Sequence, residues 1–362
     1  MTAPLPSAPT RRRRAALLLA APALVLAYLL LWPTKVDPVA FASAPAPSYP
    51  PNDRLAHVEV LGRGLRGPED VAVDAHGRIY AGLEDGWIAR LRPDGHDPEL
   101  LLNTGGRPLG LAFAADGRLL VADADRGLLA VDPTRRVVEV LSTEAEGGPY
   151  GFADDLDVAR DGTVYFSDAS SRFGWRTYKQ DLLEHAPNGR LLAWDPRTRR
   201  TRVLLRGLFF ANGVAVSADQ RFVLVNETGQ YRVTRYWLEG PKAGTSDVFC
   251  DDLPGFPDGI SARPGGGFWL ALASPRDPAL DALAPYPFAR KVVSRLPEAL
   301  QPAPQRHAWV LGLDAEGKVV ADLQHRAPDS FSPVTSVEEW GGKLYLGSLS
   351  YPGLARIPAP QG

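Results

Sequence analysis

The stretch LDVARDGTVYF at residues 156–166 decides the fold. Apolar and polar residues alternate on both sides of an Asp-Gly pair, which is the pattern of a β-hairpin with a tight turn. A similar pattern returns five more times along the chain. The other copies are VAVDAHGRIY at 71–80, LAFAADGRLL at 111–120, VAVSADQRFVL at 214–224, ISARPGGGFWL at 260–270 and VEEWGGKLYL at 337–346.

A further strand pattern follows each hairpin. These outer strands are WIARL at 87–91, GLLAVD at 127–132, GRLLAWD at 189–195, YRVTRYW at 231–237, AWVLGLD at 308–314 and GLARI at 353–357. Six units with a period of roughly 40–50 residues predict an all-β fold, a six-bladed β-propeller. The strand HVEVL at 57–61 is expected to complete the last blade. The alternative is a β-sandwich or two stacked β-domains, which six hairpins in one register disfavour.

The composition excludes several classes of protein. The chain has 362 residues, of which 45% are hydrophobic, so it can bury a large core and is not disordered. Its net charge is −2, and the predicted propeller has no basic patch, so no nucleic-acid partner is expected. The single cysteine, Cys250, rules out an intrachain disulfide.

The N-terminus has the pattern of a membrane anchor. Four arginines at 11–14 precede an uncharged run over 15–32, and eighteen helical residues span about 27 Å, close to the roughly 30 Å of a bilayer core. The predicted organisation is a cytoplasmic basic tail at 1–14, a transmembrane signal anchor at 15–32, a Pro/Ala-rich tether at 33–52 and the propeller at 53–362. The propeller is then periplasmic or extracellular. The alternative is a secreted protein, cleaved after a signal peptide at Ala42-Ser43-Ala44.

Four oxygen-bearing side chains occupy the same phase of the repeat. Each lies just ahead of the first strand of a unit, and they are Glu69, Asp154, Asn212 and Asp258. In a propeller the first strands line the central tunnel, so we expect all four side chains around one mouth of it. Because no Cys or His joins the set, the predicted ion is Ca²⁺ rather than zinc or copper.

Two long connections are expected to border the same mouth. They span 167–185 and 274–306, and the second contains an amphipathic helical pattern at 289–300. Long loops on a rigid scaffold commonly carry function. We expect them to form walls or a lid, with apolar contributions from Phe173, Trp175, Tyr286 and Phe288. His185 ends the first loop, within reach of the mouth, but the sequence assigns it no role in the site. The alternatives for the second loop are a helix that only caps the blade or a basic face that contacts the membrane.

Seven segments carry a resemblance to a known family. They are RPLGLAF at 107–113, ADADRGL at 122–128, FADDLDV at 152–158, YFSDASS at 165–171, ANGVAVS at 211–217, LPGFPDGI at 253–260 and KLYLGS at 343–348. Together they resemble the strictosidine synthase-like family over roughly residues 58–357. The wider superfamily includes paraoxonase-type lactonases, gluconolactonase/regucalcin and diisopropyl-fluorophosphatase. The resemblance implies a six-bladed propeller with calcium in the tunnel, held by Glu69, Asp154, Asn212 and Asp258.

The chain departs from the family pattern at three positions. Asp154 stands where the family usually has Asn, and the extra carboxylate is expected to hold a cation more tightly or to act as a base. Leu109 stands where paraoxonase-type enzymes have a catalytic His. The glutamate that strictosidine synthase uses in its last blade falls near Thr335, with Glu338 the nearest carboxylate. Condensation of an amine with an aldehyde is therefore not expected.

The resemblance and the residues together favour a calcium-dependent hydrolase of lactones or aryl esters. In that hypothesis Asp258 is both a metal ligand and the general base or nucleophile, and Asp154 is the second candidate catalytic residue. Asp70 and Asp155 follow two of the ligands and are interpreted either as residues that orient them or as turn-capping carboxylates. The alternative function is a non-catalytic, calcium-stabilised propeller that acts as a binding or scaffold protein outside the cytoplasm.

Overall fold

The computed structural model describes residues 11–42, 44–146 and 148–360, with side chains described from residue 20 onward. Within these ranges the chain forms six four-stranded antiparallel sheets, numbered here in chain order. The first three are sheet 1 (Val71–Val73, Ile79–Gly82, Trp87–Leu91, Glu99–Asn103), sheet 2 (Pro108–Phe113, Leu119–Asp123, Gly127–Asp132, Val137–Ser142) and sheet 3 (Ala153–Val158, Val164–Asp168, Gly189–Asp195, Arg200–Leu208).

The other three sheets follow the same plan. They are sheet 4 (Ala211–Val216, Phe222–Glu227, Arg232–Trp237, Ser246–Cys250), sheet 5 (Gly255–Ala262, Phe268–Pro275, Ala308–Leu313, Val319–His325) and sheet 6 (Ser336–Trp340, Lys343–Gly347, Leu354–Pro358, Glu59–Leu61). A small two-stranded ribbon, Glu144–Ala145 with Gly148–Pro149, joins sheets 2 and 3. Every predicted hairpin forms the first two strands of a sheet, and the prediction of a six-bladed β-propeller is confirmed.

The ring closes through the N-terminal strand, as predicted. Glu59–Leu61 pairs with Leu354–Pro358 and becomes the outermost strand of sheet 6. The Arg356 guanidinium also contacts the Glu59 carboxylate at 2.7 Å across this pair. The last sheet is therefore built from both ends of the propeller, which holds the ring shut.

The first strands of the six sheets line the centre and contact one another around the ring. Backbone hydrogen bonds connect them directly; the Gly259 amide of sheet 5, for example, donates to the Thr335 carbonyl ahead of sheet 6 at 2.7 Å. The apolar core lies between adjacent sheets. Leu224 and Val233 of sheet 4, for example, belong to the same buried cluster as Leu270 of sheet 5. Packing between sheets thus fixes where each inner strand begins.

The N-terminal helix, α1 (Arg11–Leu31), covers most of the predicted membrane segment at 15–32. Among the residues that the structure describes, however, no helix is both long and apolar enough to cross a membrane. The predicted transmembrane segment is therefore not supported. Residues 1–10 of the predicted basic tail lie outside the described residues.

Three short helices lie over one end of the propeller, inside the two long connections. They are α2 (Tyr178–Glu184), α3 (Pro278–Leu283) and α4 (Pro287–Ser294), flanked by single 3₁₀ turns at Trp175–Thr177 and Glu298–Leu300. Another 3₁₀ turn, Thr228–Gln230, lies in sheet 4. The helix predicted at 289–300 is thus α4; it begins two residues earlier and ends before Pro297, whose ring cannot continue a helix.

Candidate functional site

One cavity, at the mouth of the tunnel, is lined by one residue from the start of every sheet. These six ring positions are Glu69, Leu109, Asp154, Asn212, Asp258 and Thr335, and all of them line the cavity. The four predicted ligands therefore face the same space, as the phase of the repeat predicts. The structure brings them together from sheets 1, 3, 4 and 5.

A β-bulge lies at four of the six ring positions. The pairing of first and second strands shifts register between residues 108 and 111, 153 and 156, 211 and 214, and 257 and 260. A bulge leaves a residue outside the ladder and redirects side chains, which is why bulges recur beside binding sites. The shared distortion turns Leu109, Asp154, Asn212 and Asp258 towards the axis.

In sheets 4 and 5 the residue after the ring position is a glycine, and the backbone of the next sheet's inner strand lies close to it. A methyl group on Gly213 would overlap the Asp258 carbonyl, and one on Gly259 would lie 2.7 Å from the Thr335 carbonyl. Only glycine fits such a close backbone approach. The Asn212-Gly213 and Asp258-Gly259 pairs are thus bulges inside strands rather than hairpin turns.

Asp70 and Asp155 occupy the equivalent positions in sheets 1 and 3. The Asp70 carboxylate accepts a hydrogen bond from the Leu111 amide of sheet 2 at 2.8 Å, and the Asp155 carboxylate accepts one from the Val214 amide of sheet 4 at 2.8 Å. Both side chains therefore connect a sheet to the next one. This bonding fixes the inner strands that carry the ring positions.

The cavity has a volume of 390 Å³, within the range of small-molecule sites. Its walls are mostly apolar and aromatic. They include Leu109, Phe152, Trp175, Tyr178, Leu182, Phe210, Tyr231 and Phe256. The carboxylates thus lie in a mainly apolar pocket rather than in an open polar channel.

Burial dominates the electrostatics of the acidic residues. It raises the pKa of Glu69 and Asp154 well above their ordinary values, and the nearby Asp258 charge adds to both shifts. Burial also raises the pKa of Asp258 to about 7, against the opposing effect of its hydrogen bond with Asn212. These shifts have one physical meaning: three carboxylates share a dry site that holds too little positive charge to balance them.

The donor set suits a hard cation, with oxygen ligands only and three carboxylates. Asp154 Oδ2 is buried and has no hydrogen-bond partner in the structure, which is unusual for a carboxylate oxygen unless an ion or a water binds it. Among the described residues, however, no group of three or more His, Cys, Asp and Glu side chains is arranged so that it could hold a metal ion. The calcium site stays a prediction, with chemistry that fits it.

Arg107 is a site residue that the sequence did not single out. It is fully buried, it lines the cavity, and its guanidinium donates to the carbonyls of Gly67 at 3.0 Å and Gly82 at 3.5 Å. Its charge opposes the rise in the pKa of Asp154. A charged residue directly ahead of a buried strand was the available signal, because Arg is almost never fully buried without a partner.

The two remaining ring positions, Leu109 and Thr335, carry no carboxylate. Leu109 packs against Ala124, Phe152 and Phe210 in an apolar cluster. The Thr335 hydroxyl already donates to the Glu69 carbonyl at 2.7 Å. Glu338 is not among the cavity-lining residues, and burial raises its pKa well above the ordinary value.

The predicted aromatic wall is wrong in part. Trp175 lines the cavity, but Phe173 does not; it is buried against Val36 and against Leu183, which itself lines the cavity. Tyr286 and Phe288 point to solvent, with exposures of 61% and 59%. The reason is the position of α4, which presents Arg290 to the cavity instead.

His185 reaches the cavity and is 3% exposed. Its Nε2 lies 3.1 Å from Gln230 Nε2, and its ring stacks on Phe41 with a centroid separation of 3.4 Å. Burial lowers the pKa of His185 to about 3, so its imidazole is neutral at ordinary pH. Phe41 belongs to the segment predicted as a tether, and its place in the cavity wall was not predicted.

Comparison with protein families gives two matches along the chain. The strictosidine synthase family matches residues 154–241, and the N-terminal region of strictosidine synthase-like proteins matches residues 47–91. Protein STRICTOSIDINE SYNTHASE-LIKE 6 of Arabidopsis thaliana is 38% identical over 320 residues, which cover 86% of this chain and 85% of that protein. Adipocyte plasma membrane-associated protein of Bos taurus is 35% identical over 359 residues, covering 92% and 87%.

Solved structures with the same fold are more distant in sequence. A gluconolactonase from Xanthomonas campestris superposes with a TM-score of 0.63 at 20% identity, covering 89% of this chain and 99% of that one. Regucalcin from Agrobacterium tumefaciens, described as a calcium-binding protein, has a TM-score of 0.57 at 16% identity, covering 82% and 90%. At these identities the likeness establishes the propeller fold alone.

Proposed function

We propose that this chain, which belongs to the strictosidine synthase-like family, is a hydrolase of lactones or aryl esters. One observation carries the proposal: carboxylates from three different sheets meet at the bottom of a single apolar-walled cavity. Apolar walls suit the body of an aryl ester or a lactone, and convergent carboxylates suit proton transfer to and from water. The gluconolactonase with the same fold is consistent with this reaction class.

Asp258 is the residue we assign as general base, with Asp154 as the second candidate. In the proposed step a water oxygen bonds to the acyl carbon while one of its protons moves to the carboxylate. The acyl–oxygen bond then breaks, and the leaving oxygen takes the proton back, so one water is consumed and an acid and an alcohol (or, from a lactone, a hydroxy acid) are formed. The hydrogen bond between Asn212 and Asp258 orients the base.

Glu69, Asp154, Asn212 and Asp258 are the residues that would hold Ca²⁺. A bound divalent cation polarises a carbonyl oxygen and lowers the pKa of water. The calcium-binding regucalcin with the same fold is consistent with this assignment. Arg107 contributes a positive charge that opposes the rise in the pKa of Asp154.

The second candidate function is a non-catalytic binding propeller, and Leu109 favours it. At the ring position where paraoxonase-type enzymes place a histidine, this chain has a residue that is 3% exposed and packed among apolar side chains. A cavity of this kind can hold an apolar ligand without transforming it.

Membrane association is the second part of the proposal. It rests on the relative named as plasma membrane-associated. Fractionation of cells that express the full chain tests it, because release into the soluble fraction without detergent contradicts the proposal.

The catalytic proposal is tested by assaying the purified full chain on phenyl acetate and on a γ- and a δ-lactone, with and without a chelator. Asp258→Asn is expected to abolish turnover while its thermal unfolding curve stays cooperative. Asp251→Asn is the matched control, since Asp251 lies on the surface outside the cavity. Absence of turnover on a broad ester and lactone panel, by a folded chain with calcium bound, would favour the binding propeller.

A further inference from the structure

We propose that residues 34–42 form a strap that completes the active-site cavity from outside the propeller, and that Phe41 on this strap sets the size of the substrate. The size-setting role rests on the proposed hydrolase function, whereas the strap itself does not. The segment precedes the first propeller strand by more than a dozen residues. It nevertheless lies over the same end of the ring as the cavity.

The strap is bonded to α2. The Val39 amide donates to the Glu184 carbonyl at 2.9 Å, and the Asp37 amide donates to the Glu184 carboxylate at 2.8 Å. Arg172, in the loop ahead of α2, donates to the Lys35 carbonyl at 2.6 Å. These contacts join stretches of chain that are far apart in sequence, so they reflect a specific docking site rather than local turn formation.

The strap is also bonded to α3 and α4. The Phe41 amide donates to the Ala284 carbonyl at 3.2 Å, directly after α3. On α4, Lys291 pairs with the Asp37 carboxylate at 2.8 Å and Arg290 donates to the Val39 carbonyl. A single extended segment therefore makes hydrogen bonds to α2, to α4 and to the residue after α3, and connects the three helices that lie over the cavity.

Packing supports the hydrogen bonds. Val36 is only 1% exposed and packs into a small cluster with Phe173 and Leu183. A valine buried to this degree is removed almost entirely from water, which stabilises the docked strap. This burial distinguishes the strap from a solvated Pro-rich linker.

Phe41 is the residue of the strap that enters the cavity. Its ring stacks on the His185 ring, with 3.4 Å between centroids and an interplanar angle of 11°. The Arg290 guanidinium lies 5.2 Å from the centroid of the Phe41 ring. His185 and Arg290 both line the cavity with it. Because an aromatic side chain is large and stiff, Phe41 limits how far an apolar substituent can extend towards the lid.

The strap leads into residues that dock separately on the propeller. Asn52 accepts from the Gln324 amide at 2.9 Å, and Tyr49 meets Trp309 edge-on at 6.0 Å. A chain shortened to begin at residue 45 would therefore keep this docking and the ring but lose one wall of the site. The same connection links α1 to the lid, since Arg295 of the α4 end donates to the Trp32 carbonyl at 2.7 Å.

The first experiment tests the strap without using catalysis. Diethyl pyrocarbonate modification of the full chain, followed by peptide mass mapping, compares His185 with His57, which is exposed. His185 is expected to react far more slowly than His57 in the natural chain and in Val39→Ala, whose side chain is 47% exposed on the same strap. In Phe41→Ala its rate is expected to approach that of His57. Full protection of His185 in a folded Phe41→Ala chain would overturn the strap.

Phe41→Leu and Phe41→Trp keep the test decisive if the alanine variant fails to fold. Leucine covers less of the imidazole than phenylalanine, so His185 is expected to react faster than in the natural chain but more slowly than His57, and tryptophan is expected to slow the reaction further. A folded Phe41→Leu chain in which His185 reacts no faster than in the natural chain contradicts the strap. Loss of protection in Phe41→Trp contradicts it.

The second experiment tests substrate size with phenyl acetate and 1-naphthyl acetate. The ratio of kcat/KM for the naphthyl over the phenyl ester is expected to rise roughly tenfold in Phe41→Ala and to fall in Phe41→Trp, since a pocket wall discriminates by about that factor. An unchanged ratio in active variants would refute the size-setting role. No turnover by the natural chain would refute the hydrolase function, while His185 modification would still decide the strap.

Discussion

Gly213→Ala is the most direct test of how the tunnel is built. Gly213 follows the ring position Asn212 and lies where sheet 5 comes closest. A methyl group here would overlap the Asp258 carbonyl, would lie 2.6 Å from Asn226 Nδ2 and would lie 2.7 Å from the Ile260 amide nitrogen. The backbone at Gly213 is not in the left-handed region, so alanine adds only this overlap and no conformational strain.

The size of the destabilisation caused by Gly213→Ala depends on which atoms the added methyl group must displace. Two of the three obstructing atoms are backbone of sheet 5, and the third, Asn226 Nδ2, is held because it donates to the Asp258 carbonyl. Overpacking of this kind costs about 1–3 kcal/mol. For a domain of about 300 residues the melting temperature falls by roughly 1.5 °C per kcal/mol. We therefore expect the melting temperature to fall by a few degrees.

Differential scanning calorimetry of the full chain measures the effect, and Gly148→Ala is the control. Gly148 lies in the small ribbon with nothing within 4 Å of the added methyl group, so its melting temperature is expected to stay within about 1 °C of the natural one, as for most surface changes. Because the overlap pushes on Asp258, we also expect Gly213→Ala to reduce esterase activity. A melting temperature equal to that of Gly148→Ala would show that sheets 4 and 5 do not approach as described.

Three other outcomes follow from the structure. Asp168→Asn removes the buried carboxylate that the Arg190 guanidinium contacts at 2.5 Å. Urea denaturation is expected to show a free energy of unfolding that is lower by about 3–5 kcal/mol. Glu146→Gln changes an exposed ion pair and is expected to have a small effect. Burial lowers the pKa of His185 to about 3, so the unfolded chain binds a proton near pH 6.5 that the folded chain does not, and stability falls as the pH drops from about 6.5 towards 3. His185→Asn should flatten that dependence, and an unchanged slope would contradict it. If calcium binds, a chelator should lower the melting temperature, by an amount equivalent to about 2.7 kcal/mol at a free concentration a hundred times the Kd, and added Ca²⁺ but not Mg²⁺ should restore it.

The repeat pattern was sufficient to predict the ring and the residues that face its axis. Asn212-Gly213 by itself resembles a hairpin turn, and only its phase relative to the other units identified it as a tunnel position. The bulge that turns Asn212 inward could not be predicted, because it depends on how the first two strands of sheet 4 pair. Membrane spanning by residues 15–32 was predicted from length and hydropathy, and it is not supported.

The residues that sequence reasoning missed share one property, which is dependence on contacts between distant parts of the chain. Arg107 is a site residue because the carbonyls of Gly67 and Gly82 in the preceding sheet accept from its guanidinium. Phe41 is a site residue because the strap docks on helices that come much later in the sequence. The contacts themselves leave no local pattern of spacing or composition, and the only sequence signal for Arg107 is a charged residue directly ahead of a buried strand.

The ring positions divide the cavity into two chemically different sides. Oxygen donors come from sheets 1, 3, 4 and 5, whereas sheet 2 contributes Leu109, and the hydroxyl of Thr335 in sheet 6 is already bonded to the Glu69 carbonyl. The apolar side continues through Phe152 and Phe210. A polar, reacting group can therefore meet the oxygen donors while an apolar body packs against Leu109, Phe152 and Phe210. This asymmetry, rather than the number of carboxylates, is the feature that supports the proposal of an ester or lactone substrate.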